Sequence, residues 1–128
     1  MTPPPSPVSL WVCEQVIIDR RTNNPSLIGS FTGLRCLEFP SDRTPLSVYV
    51  SMTGAVGRGR IELQVIHLET MQSFFRQRRA IEFPDRITIL NIDFRIRTLS
   101  FPDAGTYSFA ILVDGDLIAE RKLRVSKG

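Results

Sequence analysis

The sequence predicts an all-β fold, an antiparallel β-sandwich of about eight strands. Three observations carry that expectation. Apolar and polar residues alternate with period two in several segments, the spacing of a half-buried strand. The pair Asp114-Gly115 separates two such runs, and an Asp-Gly pair between alternating segments is the strongest short hairpin signal. No apolar stripe with the period of a helix extends over helical length anywhere in the chain.

Taken in order, MTPPPSP reads as an extended, flexible Pro-rich tail over residues 1–7, with a single domain following over residues 8–126. Val8 to Ile18 opens that domain as an apolar run, β-branched near its end. Asp19 to Pro25 is a loop rich in turn formers. Leu27 to Phe39 forms a second strand region in which Gly29 and Gly33 mark a bulge or bend. After a loop from Pro40 to Pro45, Val48, Val50 and Met52 alternate with Ser47, Tyr49 and Ser51.

Gly54 to Gly59 reads as a flexible hairpin loop into Ile61, Leu63 and Val65, which alternate with Glu62 and Gln64. The phase slips at Val65-Ile66, where a β-bulge or strand end is expected. Met71 to Phe83 could begin as a helical turn, but strand is favoured from Phe75 to Phe83, with Pro84-Asp85 as the turn. Ile87 to Leu99 is the clearest strand: Leu90, Ile92, Phe94 and Ile96 share one face and Asn91, Asp93, Arg95 and Arg97 the other. Tyr107, Phe109, Ile111 and Val113 form the inward face of the next strand. A last segment then runs out through Val125.

Composition narrows the function classes. A chain of 128 residues fits one domain, large enough to bury roughly two-thirds of its unfolded surface. No stretch approaches the ~20 apolar residues of a membrane helix. The start lacks the basic leader and apolar core of a secretory signal. Leu10-Trp11-Val12-Cys13 has the outline of a lipoprotein cleavage box, but bulky Val12 stands where a small residue is wanted, and that reading is set aside. The expected compartment is therefore the reducing cytoplasm, with Cys13 and Cys36 as free thiols acting as small core hydrophobes.

Asp103-x-Gly105-x-Tyr107-x-Phe109 resembles the start of the penultimate strand in immunoglobulin-like sandwiches. In those folds a tyrosine hydroxyl anchors the preceding corner to backbone. Phe109 stands where such domains usually carry a cysteine, and the single tryptophan, Trp11, lies in the first strand. The resemblance therefore implies a structural corner at Asp103, Gly105 and Tyr107, in an immunoglobulin-like or jelly-roll-like sandwich.

A broader resemblance rests on Cys13-Glu14-Gln15-Val16-Ile17-Ile18-Asp19, Ser26-Leu27-Ile28-Gly29-Ser30-Phe31, Phe39-Pro40, Phe101-Pro102-x-x-Gly105-x-Tyr107-x-Phe109 and Asp114-Gly115, in that order. The pattern, from about Val12 to Val125, is similar to an uncharacterised bacterial domain-of-unknown-function family of small all-β proteins. It implies a small soluble bacterial β-sandwich and carries over no activity, ligand or catalytic residue.

The residues themselves point away from catalysis and from a resident cofactor or metal. His67 is the only histidine and reads as a surface or strand-edge residue, too few ligands for zinc. No serine sits in a nucleophile elbow. Gly54 to Gly59 lacks the Lys-Ser/Thr of a phosphate loop and opens a strand, not a helix.

The arginines are the one asymmetry. Of sixteen basic residues fourteen are Arg, and six lie between Arg76 and Arg97, offset only by Glu82, Asp85 and Asp93. Arg76 and Arg78 share a parity, as do Arg95 and Arg97. If their strands pair in one sheet, four guanidiniums gather on its solvent side to meet an acidic protein surface. A net charge of only +3 and the lack of interleaved aromatics disfavour nucleic acid. The resulting expectation is a non-catalytic protein-interaction or scaffold module. The alternatives are a small-molecule or carbohydrate-binding sandwich, with Tyr49 as its one candidate ring, and a nucleic-acid-associated basic module.

Overall fold

The computed structural model describes residues 3–128 and is all-β. Its strands are β1 (Ser6–Ile18), β2 (Pro25–Ser30), β3 (Gly33–Cys36), β4 (Thr44–Thr53), β5 (Gly57–His67), β6 (Gln72–Phe83), β7 (Leu90–Leu99), β8 (Gly105–Val113) and β9 (Asp116–Lys127). They form a four-stranded sheet in the order β2-β1-β4-β7 and a five-stranded sheet in the order β3-β9-β8-β5-β6. One core lies between them. The first sheet supplies Val12, Leu46, Val48, Val50, Met52, Ile92, Phe94 and Ile96; the second supplies Ile61, Leu63, Val65, Tyr107, Phe109, Ile111, Val113 and Leu123. The period-two faces read from the sequence thus meet across the sandwich.

Each departure from the sequence reading has a local cause. The region from Leu27 to Phe39 is two strands in two sheets, because the chain crosses the sandwich at Phe31 and Thr32. Phe31 N–H donates to Val12 C=O in the first sheet, while Thr32 C=O accepts from Arg124 N–H in the second. β3 then pairs with β9 in parallel, the one parallel ladder among the described residues. Gly54 to Val56 is likewise a crossing from β4 to β5, with Ala55 buried, and not a hairpin loop.

β7 begins at Leu90 and not at Ile87. The Asp85 carboxylate accepts from Ile87 N–H, Thr88 N–H and the Thr88 hydroxyl, which holds that backbone in a turn. Those bonds, Thr88 N–H first, keep the Asp85 carboxyl below its ordinary range. β1 starts at Ser6 and Pro5 is buried, so the end of the Pro-rich segment belongs to the fold; residues 1–2 lie outside the described residues.

Three hairpins are local: β1–β2, β5–β6 and β8–β9. The last turns on Asp114 and Gly115 with φ of 49° and 86°, the left-handed pair a type I′ turn needs. The bulge expected at Val65-Ile66 is present, but only in the ladder with β6. Against β8 the register runs unbroken from Ile61 to His67.

Candidate functional site

The unbroken β5–β8 register decides where His67 goes. It keeps the inward parity of Val65 and sits opposite Tyr107, only 6% exposed. The surface or strand-edge placement expected from the phase slip is therefore corrected: His67 is a core residue. Its ring lies edge-on to Tyr107 at 4.6 Å, with Nδ1 3.2 Å from the Thr70 hydroxyl. Phe101 and Phe74 close the other sides of Tyr107, at 4.9 and 5.4 Å between ring centroids.

The hydroxyl of Tyr107 donates to Asp103 C=O and accepts from Asp103 N–H. Burial pushes that hydroxyl above its ordinary pKa. Gly105 completes the corner by close approach, since a Cβ there would lie 2.7 Å from Glu69 Oε2. The Glu69 carboxylate in turn accepts from Thr106 N–H at 3.0 Å. Asp103, Gly105 and Tyr107 thus form a packed joint that spends its polar groups on its own backbone.

The four arginines do not gather. β6 pairs with β5 at one edge of the five-stranded sheet, and β7 pairs with β4 at one edge of the four-stranded sheet. The turn at Asp85 carries the chain from one sheet to the other, so the condition for a four-arginine patch fails. Arg76 and Arg78 stand on the solvent face of one sheet, Arg95 and Arg97 on that of the other. The first pair is laced into its neighbours: Arg78 Nε bonds Glu62 at 3.1 Å, and Arg76 Nε bonds the Ser73 hydroxyl.

Arg95 and Arg97 border something different. β1 pairs with β4 only from Ser6 to Cys13, and beyond Cys13 it continues with β2 alone as a two-stranded ribbon. Where the ribbon leaves β4, a cleft of about 510 Å³ opens. It is lined by Glu14 to Ile18 on one wall and by Pro45, Leu46, Ser47, Arg95 and Arg97 on the other. Asp93 Oδ2 holds Arg95 Nε at 3.0 Å. Arg97 makes no hydrogen bond or ion pair with any described residue.

A second hollow of about 480 Å³ shares Glu14 and Pro45 with the first and is floored by Phe31 and Leu34. Exposed Ile17, Ile18 and Ile28 flank the ribbon. Glu14 and the free ribbon edge were not legible in the sequence. Nothing in the alternation of Val8 to Ile18 says that its two halves have different neighbours.

Tyr49 is not a ring open to a sugar. It is 8% exposed, packed with Cys13 and Val16 beneath Leu27 of β2. Burial, with Asp93 adding to it, raises the pKa of Tyr49 and of the Cys13 thiol. Cys13 and Cys36 are both free and buried, one in each sheet. Among the described residues no group of three or more His, Cys, Asp or Glu side chains is placed to hold a metal ion.

No curated protein sequence matches the chain. Among solved structures, the X-ray structure of a putative lipoprotein from Bacillus anthracis is similar at 10% identity and a TM-score of 0.43. That match covers 88% of this chain and 84% of the other. A family model matches residues 8–126, and the chain belongs to that family, the family of unknown function DUF6941.

Proposed function

We propose that this protein is a non-catalytic interaction module that contacts an acidic protein partner through the Arg95 and Arg97 side of the cleft. The observation that carries the reading is Arg97, unpaired among the described residues, beside an Asp93-anchored Arg95 at the mouth of a concave site. A concave site with a few convergent polar groups is where binding is expected on a small domain. Guanidiniums suit carboxylates because their fork matches carboxylate geometry. Arg76 and Arg78 lie on the opposite face; Arg78 is paired with Glu62, and the hollow it borders is smaller, about 240 Å³, and carries the carboxylates of Glu62 and Asp114 in its own lining.

The chemistry elsewhere fits a binding role. The lone histidine is committed to the tyrosine corner, with its ring edge-on to Tyr107 and its Nδ1 bonded. The split of the arginines between two faces also removes the continuous basic track that would follow a phosphate backbone.

The test compares two double variants in pull-downs from the host lysate at low salt. Arg95→Gln with Arg97→Gln should lose the partner captured by wild type; Arg76→Gln with Arg78→Gln should keep it. Raising ionic strength shortens the Debye length from ~10 Å at 0.1 M to ~3 Å at 1 M and should weaken capture in step. Identical partners at identical intensity for wild type and both variants would refute the assignment.

A further inference from the structure

We infer that the cleft takes an extended peptide segment by strand addition, acidic at one end and apolar at the other. The inference rests on the reading of the protein as an interaction module and specifies the partner's form. From Gln15 to Ile18, β1 has β2 on one side and no strand on the other. Opposite, Thr44 to Leu46 of β4 pair with β7 and have no strand on the β1 side. The cleft thus lies between two strand segments whose facing edges are unpaired. Unpaired edges are templates for an added strand, with main-chain bonds giving affinity and side-chain pockets giving specificity. At ~3.3 Å per residue, a segment of about four or five residues spans the open edge of the ribbon.

Side chains along the walls order the occupant. Arg95 and Arg97 favour carboxylates at their end. Glu14, at the junction of the two hollows, repels a carboxylate there, so the central position is neutral or basic. Beyond it, Phe31, Leu34 and Pro45 offer an apolar seat. A second copy of this chain fits poorly. Of its own edge strands, β3, β6 and β7 carry Arg35, Arg76, Arg78, Arg79, Arg95 and Arg97, β2 has no acidic residue to offer the arginines of the cleft, and the net charge is +3.

The test is selection of a displayed library of random peptides, each about ten residues long, on the immobilised full-length chain. The strongest binder is then synthesised and titrated by fluorescence anisotropy. Selected sequences should place Glu or Asp a few residues from a large apolar residue. Lys in place of the acidic residues should weaken binding at least tenfold. Arg95→Gln with Arg97→Gln should do the same, as should Leu34→Glu, with circular dichroism confirming that each variant is folded. N-methylation of alternate amides in the peptide should weaken binding at least tenfold in one of the two registers.

Equal affinity for both N-methylated peptides would overturn strand addition. No enrichment, with a lysate partner still lost by Arg95→Gln/Arg97→Gln, would overturn the extended-peptide form while leaving the interaction module standing. No enrichment and no lost partner would remove both.

Discussion

Tyr107 has its ring enclosed by Phe101, Phe74 and His67, and its hydroxyl satisfies both backbone groups of Asp103. Tyr107→Phe keeps the ring and orphans that carbonyl and amide, so it should cost on the order of 1–3 kcal/mol, read from the urea midpoint. Glu69 works on the same corner from the surface. Donation from Thr106 N–H, above all, holds its carboxyl below the ordinary range. A carboxyl lowered in the folded state stabilises above its unfolded pKa of ~4.3, and that contribution disappears as pH falls through the folded value. Glu69→Gln should therefore lower stability at neutral pH and flatten the acid limb of a stability–pH curve, while leaving the most acidic end little changed. The tyrosine was legible from its spacing after Asp103 and Gly105. His67 was not, because the apolar phase slip at Val65-Ile66 belongs to the β6 ladder and leaves the β8 ladder untouched.

Strands whose core-facing period and bounding turns are both local were the easiest to read. The β8–β9 hairpin is the clearest case. Asp114 Oδ1 additionally accepts from Arg60 N–H at 2.9 Å, tying the turn to β5. β7 was equally plain: Ile92, Phe94 and Ile96 all enter the core. Phe94→Ala should cost roughly 3–5 kcal/mol, seen as a shift of the denaturant midpoint, since it empties the middle of the sandwich. What period two cannot reveal is which sheet a strand joins. Phe31-Thr32 carries the chain across the core by backbone bonds to Val12 and Arg124, far away in sequence, with no local sign beyond a break in alternation. At Asp85 to Thr88 the turn itself is local and legible, but the sheet it leads to is set by partners elsewhere, Gly54 N–H donating to Arg86 C=O among them.

On the scale of the whole molecule, the abundance of arginine acquires a structural use that parity within one strand concealed. Arg79 pairs with Ile61 and Arg121 with Phe109, so both stand on core-facing parity at the rim of the sandwich. Arg79 lies 4.9 Å over the Phe94 ring, joining β6 to β7; Arg121 lies 4.4 Å over the Trp11 ring, joining β9 to β1. One guanidinium thus bridges the two sheets along each open side. Arg121 Nη1 also donates to Leu10 C=O at 3.1 Å, capping an acceptor of β1 where β2 does not reach. A lysine could supply charge there but not a flat face over the indole together with a directed N–H. Trp11, 38% exposed, keeps one side open to water, so this clamp sits between the surface and buried limits of a cation–π contact. A double-mutant cycle of Arg121→Ala with Trp11→Phe and Trp11→Ala should return a coupling energy of about 0.5–2 kcal/mol with alanine, and less with phenylalanine. Arg121→Lys should recover only part of the loss. Additive single substitutions would mean that the stacked pair does not hold the sheets together, and that the closure on this side rests on the Leu10 bond and the Phe31-Thr32 crossing.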